Sequence, residues 1–96
     1  MLIDELHGRR DELIALGHRY GARRLRIFGS VARRQDKPDS DIDFLVDFPR
    51  GYDMFKQRIA LTNAISDLVG RRVELVPEHE LSPHLQSSIL GDAVDL

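Results

Sequence analysis

The sequence predicts an α/β domain in which a short sheet carries helices on one face. Three strand-like runs, with helical patterns before, between and after them, support this prediction. The runs are RLRIF, DIDFLVDF and RRVELVP, and each alternates in the way of strands that have one buried face. Because the longest helical pattern connects the second and third runs, it is expected to cross over one face of the sheet. The opposite face is expected to be more open.

The first part of the chain is predicted to hold a helix, a strand and a loop. Apolar residues lie near helical spacing over residues 1–20, and Gly21 is expected to end that helix. Residues 24–28 alternate as a short strand, and residues 30–34 are long enough for one helical turn. The Pro, Asp and Ser content of the next segment, QDKPDS, predicts a loop.

The second strand, residues 41–48, has the clearest alternation in the chain. Side chains of successive residues point to opposite faces of a strand. One face is therefore predicted to hold the apolar set Ile42, Phe44, Val46 and Phe48. The other, more open face is predicted to hold Asp41, Asp43, Leu45 and Asp47.

The remainder of the chain is predicted to hold a long helix, a third strand and a last helix. Asp53 is a suitable cap for a helix that runs to about Val69 and closes at Gly70. Its predicted apolar stripe consists of Met54, Arg58, Leu61, Ile65 and Leu68. In the third run Glu74 alternates with Val73 and Leu75. Ser82-Pro83 then begins a helix to about Leu90, and AVDL adds a short final strand.

Length and composition indicate one folded domain, residues 1–96, with 42% apolar and 31% charged residues. The absence of cysteine excludes disulfides and cysteine metal sites, and it fits a reducing compartment. No apolar run approaches the roughly 20 residues of a membrane span, and the N-terminal segment lacks the apolar core of a signal peptide. A cytoplasmic protein without a membrane partner is therefore expected.

Charge is distributed unevenly along the chain. The net charge is −2, which makes the domain a poor general binder of nucleic acid, so direct nucleic-acid binding is not expected. Twelve of the fourteen basic residues are Arg, which suits forked recognition of phosphate, and several lie near Gly29-Ser30. A solvated basic face is an equally good explanation of these arginines.

Two segments carry residue types suited to phosphoryl chemistry. Gly29-Ser30, between a strand and a helical turn, offers backbone N–H groups and a hydroxyl to an anion such as phosphate. Asp41 and Asp43 project from one face and can share a hard cation, and Glu74 joins them if the second and third strands are neighbours. Each feature alone is more often a turn or a surface charge. Together they meet the needs of nucleotidyl transfer: a phosphate cradle, bound Mg²⁺ and a base.

Other chemistries lack their signatures. The four histidines do not have the spacing of a zinc motif, and surface positions are the more common explanation. Ser87-Ser88 has no Gly-x-Ser-x-Gly context for a nucleophile. The segment GSVARRQ lacks the Gly-Lys-Ser/Thr ending of a Walker sequence.

The Gly-Ser pair, the ten residues after it and the Asp-Ile-Asp that follows match the signature G-S-x10-D-x-D. The chain thereby resembles the polymerase-beta-type nucleotidyltransferases in their minimal (MNT) form, and the similarity runs over nearly its whole length. The fold that this resemblance implies is a short mixed sheet with helices on one face.

The resemblance also implies roles for individual residues. It assigns the nucleotide to Gly29, Ser30, Arg33 and Ser40, and it assigns Mg²⁺, as two ions, to the catalytic carboxylates Asp41, Asp43 and Glu74. One departure is that Ala-Arg-Arg stands where Ala-Arg-Gly is more usual. Arg34 is therefore expected to limit the backbone freedom of that turn.

Members of the minimal family are typically antitoxins paired with HEPN-domain ribonuclease toxins. They resemble enzymes that transfer AMP from ATP to a tyrosine hydroxyl of the toxin, which implies ATP as the substrate here and a hetero-oligomer with such a toxin. Two alternatives stay open. One is a non-catalytic antitoxin that neutralises its toxin by binding alone. The other is transfer to a small molecule, as in aminoglycoside nucleotidyltransferases, although 96 residues leave no room for their additional acceptor domain.

Overall fold

The computed structural model describes all residues, 1–96, and contains five α-helices and four strands. They are α1 (Leu2–Gly8), α2 (Arg10–Arg19), β1 (Arg24–Phe28), α3 (Gly29–Ala32), β2 (Ile42–Asp47), α4 (Ala60–Val69), β3 (Val73–Pro77), α5 (Pro83–Asp92) and β4 (Val94–Asp95). A π-helical segment (Met54–Ile59) precedes α4, and a 3₁₀ turn (Glu78–Glu80) follows β3. The predicted order of elements, including the short last strand, is confirmed except that two helices replace the single predicted N-terminal helix.

The four strands form one mixed sheet in the order β3-β2-β1-β4. Strand β1 pairs antiparallel with β2 and β4, whereas β2 and β3 are parallel. Parallel neighbours need a crossover, and the segment with α4 provides it. The predicted α/β class with a short mixed sheet is confirmed. The register places Asp43 beside Phe28 of β1 on one side and beside Glu74 of β3 on the other.

The hydrophobic core lies between one face of the sheet and helices α1, α2 and α4. The predicted apolar face of β2 is buried there with residues of the other strands and of the three helices. Fully buried members include Leu13, Ile27, Ile42, Phe44, Val46, Leu61 and Ile65. Burying a side chain of this size stabilises a fold by about 1.5–3 kcal/mol. The core therefore holds β2, and the carboxylates on its other face, in a rigid frame.

The prediction of one continuous N-terminal helix is wrong, because the helix breaks at Arg9. Arg9 leaves the helical conformation, with φ −112° and ψ 19°, directly after Gly8, a poor helix former. Its guanidinium donates to the carbonyl oxygen of Leu68, the second-last residue of α4, at 2.6 Å. This contact joins the break to α4, while Leu6 before it and Leu13 after it are both buried.

The predicted apolar stripe of the middle helix is wrong at its start. Asp53 caps the segment as predicted, since its carboxylate accepts from the backbone N–H groups of Phe55 and Lys56 at 2.9 and 2.8 Å. The first turns are π-helical, however, so each takes more residues than an α-turn and the phase of the pattern shifts. Met54 is consequently 44% exposed, whereas Leu61 and Ile65 in the regular helix are buried.

The sheet face opposite the core is less open than predicted. Leu45 shares this face with Asp43, yet it is buried. Its register partner Arg26 is mostly covered as well and forms an ion pair with Glu78 at 2.9 Å. The centre of this face is therefore closed, and the carboxylates at the start of β2 lie at its accessible end.

Helix α5 is the most exposed helix of the chain. Pro83 occupies its first turn as predicted, but the hydroxyl of Ser82 makes no capping hydrogen bond. None of its residues is buried, and it contacts β1 and α3. None of the helices combines the length and the apolar character needed to cross a membrane.

Arg34 adopts the left-handed backbone conformation, with φ 59°. This region suits glycine, and another residue there costs about 1–2 kcal/mol. Its guanidinium forms a fork with the carboxylate of Asp4, with N–O distances of 3.0 and 2.9 Å. The ion pair ties the turn after α3 to α1, and it offsets part of the cost of placing Arg where glycine is more usual.

We expect Asp4 to titrate near pH 2. Hydrogen bonds from Arg34, partly opposed by desolvation, lower the pKa of Asp4 from 3.8 to about 2. Because the folded value is the lower one, the pair stabilises the fold above the unfolded pKa, and its contribution is lost as the pH falls toward 2. An NMR titration of the wild type and of Arg34→Gly measures this. The pKa of Asp4 should rise toward 3.8 in the variant, and an unchanged value would contradict the assignment of the shift to Arg34.

Candidate active site

Three predicted site carboxylates lie at the start of β2 and on its parallel neighbour. Asp41 directly precedes β2, and Asp43 is its second residue. Glu74 is the residue of β3 directly in register with Asp43. Because paired residues of adjacent strands project from the same face, the side chains of Asp43 and Glu74 are neighbours. The structure thus meets the condition on which the sequence prediction depended, that the second and third strands be adjacent.

Gly29, in the predicted phosphate cradle, contacts the carboxylate of Asp43. Gly29 follows β1 and has φ 74°, a conformation that favours glycine. A Cβ atom on Gly29 would overlap Oδ2 of Asp43. Residues fourteen positions apart are thereby packed against each other, because Phe28, just before Gly29, pairs with Asp43 across β1 and β2. The Gly-Ser pair and the Asp-x-Asp segment therefore lie side by side.

The electrostatic environment of Asp43 disfavours its ionised form. Burial raises the pKa of Asp43 most, the neighbouring carboxylates of Glu74 and Asp41 add to the rise, and Arg33 opposes it, so that the pKa lies at about 6. A compensating positive charge would favour the ionised form of this half-buried carboxylate and lower its pKa again. A bound cation would supply that charge.

Asp41 is turned toward an arginine. Its Oδ1 lies 3.0 Å from Nε of Arg72, the residue just before β3. No three Asp, Glu or His side chains form a ready-made metal site in the structure. The donor set itself suits a hard divalent cation, since it consists of carboxylate oxygens and the ionised form of one of them, Asp43, is disfavoured in the protein alone. By this chemistry the residues fit Mg²⁺.

The other predicted nucleotide-binding residues surround the cradle. Ser30 is half-buried, and its hydroxyl makes no hydrogen bond within the protein. Arg33 donates through Nε to Oε1 of Gln35 at 3.1 Å and through Nη1 to Oδ2 of Asp92 at 2.5 Å. Its Nη2 has no partner in the protein and remains available to a ligand.

Ser40 has an evident structural role. Its hydroxyl accepts a hydrogen bond from the backbone N–H of Lys37 at 2.8 Å, and its own N–H donates to the carbonyl oxygen of Lys37 at 3.0 Å. Ser40 thus closes the turn that leads into Asp41. Whether it also contacts the nucleotide stays a prediction.

Four residues that touch the predicted site residues were not predicted from the sequence. Gln35 and Asp92 hold Arg33, while Arg72 pairs with Asp41 and Arg71 donates to the carbonyl oxygen of Ser40. Gln35 is close enough in sequence for its contact to be anticipated. Asp92 and the two arginines lie more than thirty residues from their partners, so only the fold brings them together.

The fold and the site define a nucleotidyltransferase, and comparison with known proteins agrees. The family described as "Nucleotidyltransferase domain" matches residues 13–96. Among curated proteins, the chain is 37% identical over 79 residues to protein adenylyltransferase MntA of Thermococcus cleftensis, covering 82% of this chain and 79% of that protein. It is also 33% identical over 85 residues to "putative protein adenylyltransferase MJ0435" of Methanocaldococcus jannaschii, covering 88% and 90%.

Solved structures support the same assignment. One described as a "putative minimal nucleotidyltransferase" superposes with a TM-score of 0.86 at 39% identity, covering 98% of this chain and 95% of that one. A toxin-antitoxin structure with AMP-PNP shares the fold, with a TM-score of 0.76 at 20% identity, covering 90% and 70%. The chain belongs to the nucleotidyltransferase domain family, and its fold is that of the minimal nucleotidyltransferases.

Proposed function

We propose that this chain transfers AMP from ATP to a tyrosine hydroxyl of a HEPN-domain ribonuclease toxin and so acts as the antitoxin. Curated relatives at 33% and 37% identity are named as protein adenylyltransferases, which supports AMP transfer to a protein. A toxin-antitoxin complex with the same fold was solved with AMP-PNP, which supports the biological setting. The tyrosine, the HEPN partner and the magnesium requirement follow from the resemblance of the motifs.

The contact between Gly29 and Asp43 is the observation that carries the proposal. It joins the segment that would bind phosphate to a carboxylate whose charged form is disfavoured by burial and by two neighbouring carboxylates. Nothing in folding requires three carboxylates at this end of the sheet, since Asp43 and Glu74 repel each other there. A site for a nucleotide with its metal explains why they are together.

The residues of the cradle would bind the triphosphate. Ser30 offers a free hydroxyl, and Gly29 lets the backbone approach a phosphate closely because it has no side chain. The unpartnered Nη2 of Arg33 would donate to a phosphate oxygen, while Gln35 and Asp92 hold the guanidinium in place. These contacts would hold the triphosphate in place beside the carboxylates, and such positioning is a major part of catalysis in phosphoryl transfer.

The carboxylates would complete the reaction. Asp41, Asp43 and Glu74 would hold Mg²⁺, as two ions, which supplies neutralisation of the phosphate charge. The acceptor oxygen attacks the α-phosphorus of ATP, the bond to the β-phosphate breaks, and pyrophosphate leaves. Glu74 is exposed, as Asp41 is, but unlike Asp41 it forms no ion pair within the protein, and it would accept the proton of the acceptor hydroxyl.

The test is the intact mass of the toxin after incubation with this chain, ATP and Mg²⁺. The expected result is a mass increase of one or more AMP units, located on a tyrosine by peptide mapping. An unchanged mass would overturn the proposal.

A second experiment distinguishes antitoxin action by catalysis from antitoxin action by binding alone. It measures neutralisation of the toxin by the double variant Asp41→Ala/Asp43→Ala. Loss of neutralisation supports catalysis, and full neutralisation would mean that the chain acts by occlusion.

A further inference from the structure

Two adjacent arginines, Arg71 and Arg72, connect α4 to the start of β3 and contact the segment before β2 at two points. Arg71 reaches the turn formed by residues 37–40, and Arg72 reaches the carboxylate of Asp41. The two contacts differ in kind, since one involves backbone carbonyl groups and the other an ion pair. They are therefore expected to have different effects on any cation that Asp41 binds.

Arg71 fastens the turn that leads into Asp41. Its Nη2 donates to the carbonyl oxygen of Ser40 at 2.6 Å and, at 3.5 Å, to that of Lys37. The backbone of Arg71 is fixed in turn, because its carbonyl oxygen accepts from the hydroxyl of Ser66 in α4 at 2.7 Å. A half-buried arginine thus links a helix of the core to the loop that carries a predicted metal ligand.

Arg72 compensates the charge of Asp41. Its Nε lies 3.0 Å from Oδ1 of Asp41, and its side chain is 82% exposed. The backbones run side by side at this point, since the N–H of Ile42 donates to the carbonyl oxygen of Arg72 at 3.0 Å. A guanidinium so exposed can move into solvent at little cost, because exposed ion pairs contribute little to stability.

We propose that Arg71 is a positioning residue for Asp41, and that Arg72 is the counter-ion that a divalent cation displaces from it. The inference rests on the proposed function, which makes Asp41 a metal ligand. It predicts that replacing Arg71 and replacing Arg72 change the affinity for a divalent cation in opposite directions. Loss of the Arg71 contact weakens divalent binding, because the loop and Asp41 become mobile, whereas loss of the Arg72 charge strengthens it, because Asp41 no longer has a competing partner.

The test is the affinity for Mn²⁺ without nucleotide, measured by calorimetry or by the loss of the free-ion electron paramagnetic resonance signal. Arg71→Lys keeps the charge but withdraws the donor, since Nη2 is at the far tip of arginine. We expect about tenfold weaker binding from the loss of a charge-assisted hydrogen bond. Arg72→Gln is expected to bind about two- to fivefold more tightly, in proportion to an exposed ion pair.

The chain offers matched controls for both variants. Arg72→Lys keeps a charge that can occupy the place of Nε, so its affinity should stay close to that of the wild type. Arg50→Gln removes an equal charge from an exposed side chain with no partner at the opposite end of β2, so its affinity should also stay close to that of the wild type. Ser66→Ala loosens only the backbone anchor of Arg71 and should weaken binding in the same direction, but less. Thermal denaturation of each variant confirms that it is folded.

The Mg²⁺ dependence of AMP transfer provides a second measurement. In transfer assays Arg71→Lys should need more Mg²⁺, with the KM for ATP unchanged at saturating Mg²⁺ and the rate restored there. Unchanged Mn²⁺ affinity in Arg71→Lys would overturn the positioning role, and unchanged or weaker affinity in Arg72→Gln would overturn the counter-ion role. If the wild type transfers AMP and binds Mn²⁺, such results reject only this inference. If the wild type neither transfers AMP nor binds Mn²⁺, both this inference and the proposed function are rejected.

Discussion

Replacement of Asp43 by Asn is expected to lower AMP transfer by about a hundredfold or more while the fold stays intact. Asn keeps the shape of the side chain but removes the negative charge that the metal and nucleotide would need. The midpoint of thermal unfolding at pH 7 is expected to be equal to or higher than that of the wild type. The reason is that the variant relieves the desolvation of a half-buried carboxylate and its repulsion by Glu74. Initial rates of AMP incorporation and thermal denaturation measure the two effects.

Asp47→Asn is the matched control for this prediction. Asp47 lies on the same strand and the same face, but at its other end, where it pairs with Arg23 at 3.1 Å. Its replacement should leave transfer near the wild-type rate and cost little stability, because the pair is exposed. If Asp43→Asn retained the wild-type rate, the assignment of the active site would be wrong. If it unfolded the protein, Asp43 would instead be a structural residue.

Replacement of Gly29 by Ala is expected to reduce both stability and transfer. A residue with a Cβ atom at φ 74° costs about 1–2 kcal/mol in backbone strain. The new methyl group would also overlap Oδ2 of Asp43, so the carboxylate must move away from its position beside Glu74. We expect the transfer rate to fall by about tenfold or more, since misplacement by about 1 Å can cost about a hundredfold. Urea denaturation and steady-state kinetics provide the measurements.

Gly70→Ala separates the two effects of this substitution. Gly70 ends α4 with φ 69°, and a Cβ there would meet open space. The variant should therefore show a similar loss of stability, about 1–2 kcal/mol, with transfer unchanged. Equal transfer by Gly29→Ala and Gly70→Ala would show that the contact with Asp43 does not matter for the reaction.

The secondary structure was largely predictable because local patterns specify it. The alternation in β2 and the capping residues Asp53 and Gly70 were interpreted correctly from neighbouring residues alone. The failures occurred where a distant contact or an unusual helix type decided the outcome. Arg9 interrupts the first helix while its side chain is bonded to α4, and the π-helical start of the middle helix exposes Met54.

The candidate site was predictable in part for the same reason. Gly29, Ser30, Asp41 and Asp43 lie within fifteen residues, and their residue types and spacing, together with the family resemblance, predicted a phosphate cradle and a cation site. Glu74 could be named by its alternation, but its adjacency to Asp43 required the parallel pairing of β2 and β3. Helix burial and strand register decide such pairings, and neither can be derived from local spacing.

The sequence by itself determined the α/β class, the order of elements and the residue types of a nucleotidyltransferase, because periodicity and motif spacing are properties of local chain. Only the tertiary structure decided what each site residue contacts. It packed Gly29 against Asp43, turned Asp41 toward Arg72, and brought Asp92 from the end of α5 to Arg33. These contacts join residues separated by up to 59 positions, and they form because the sheet register and the core bring distant segments to one end of β2.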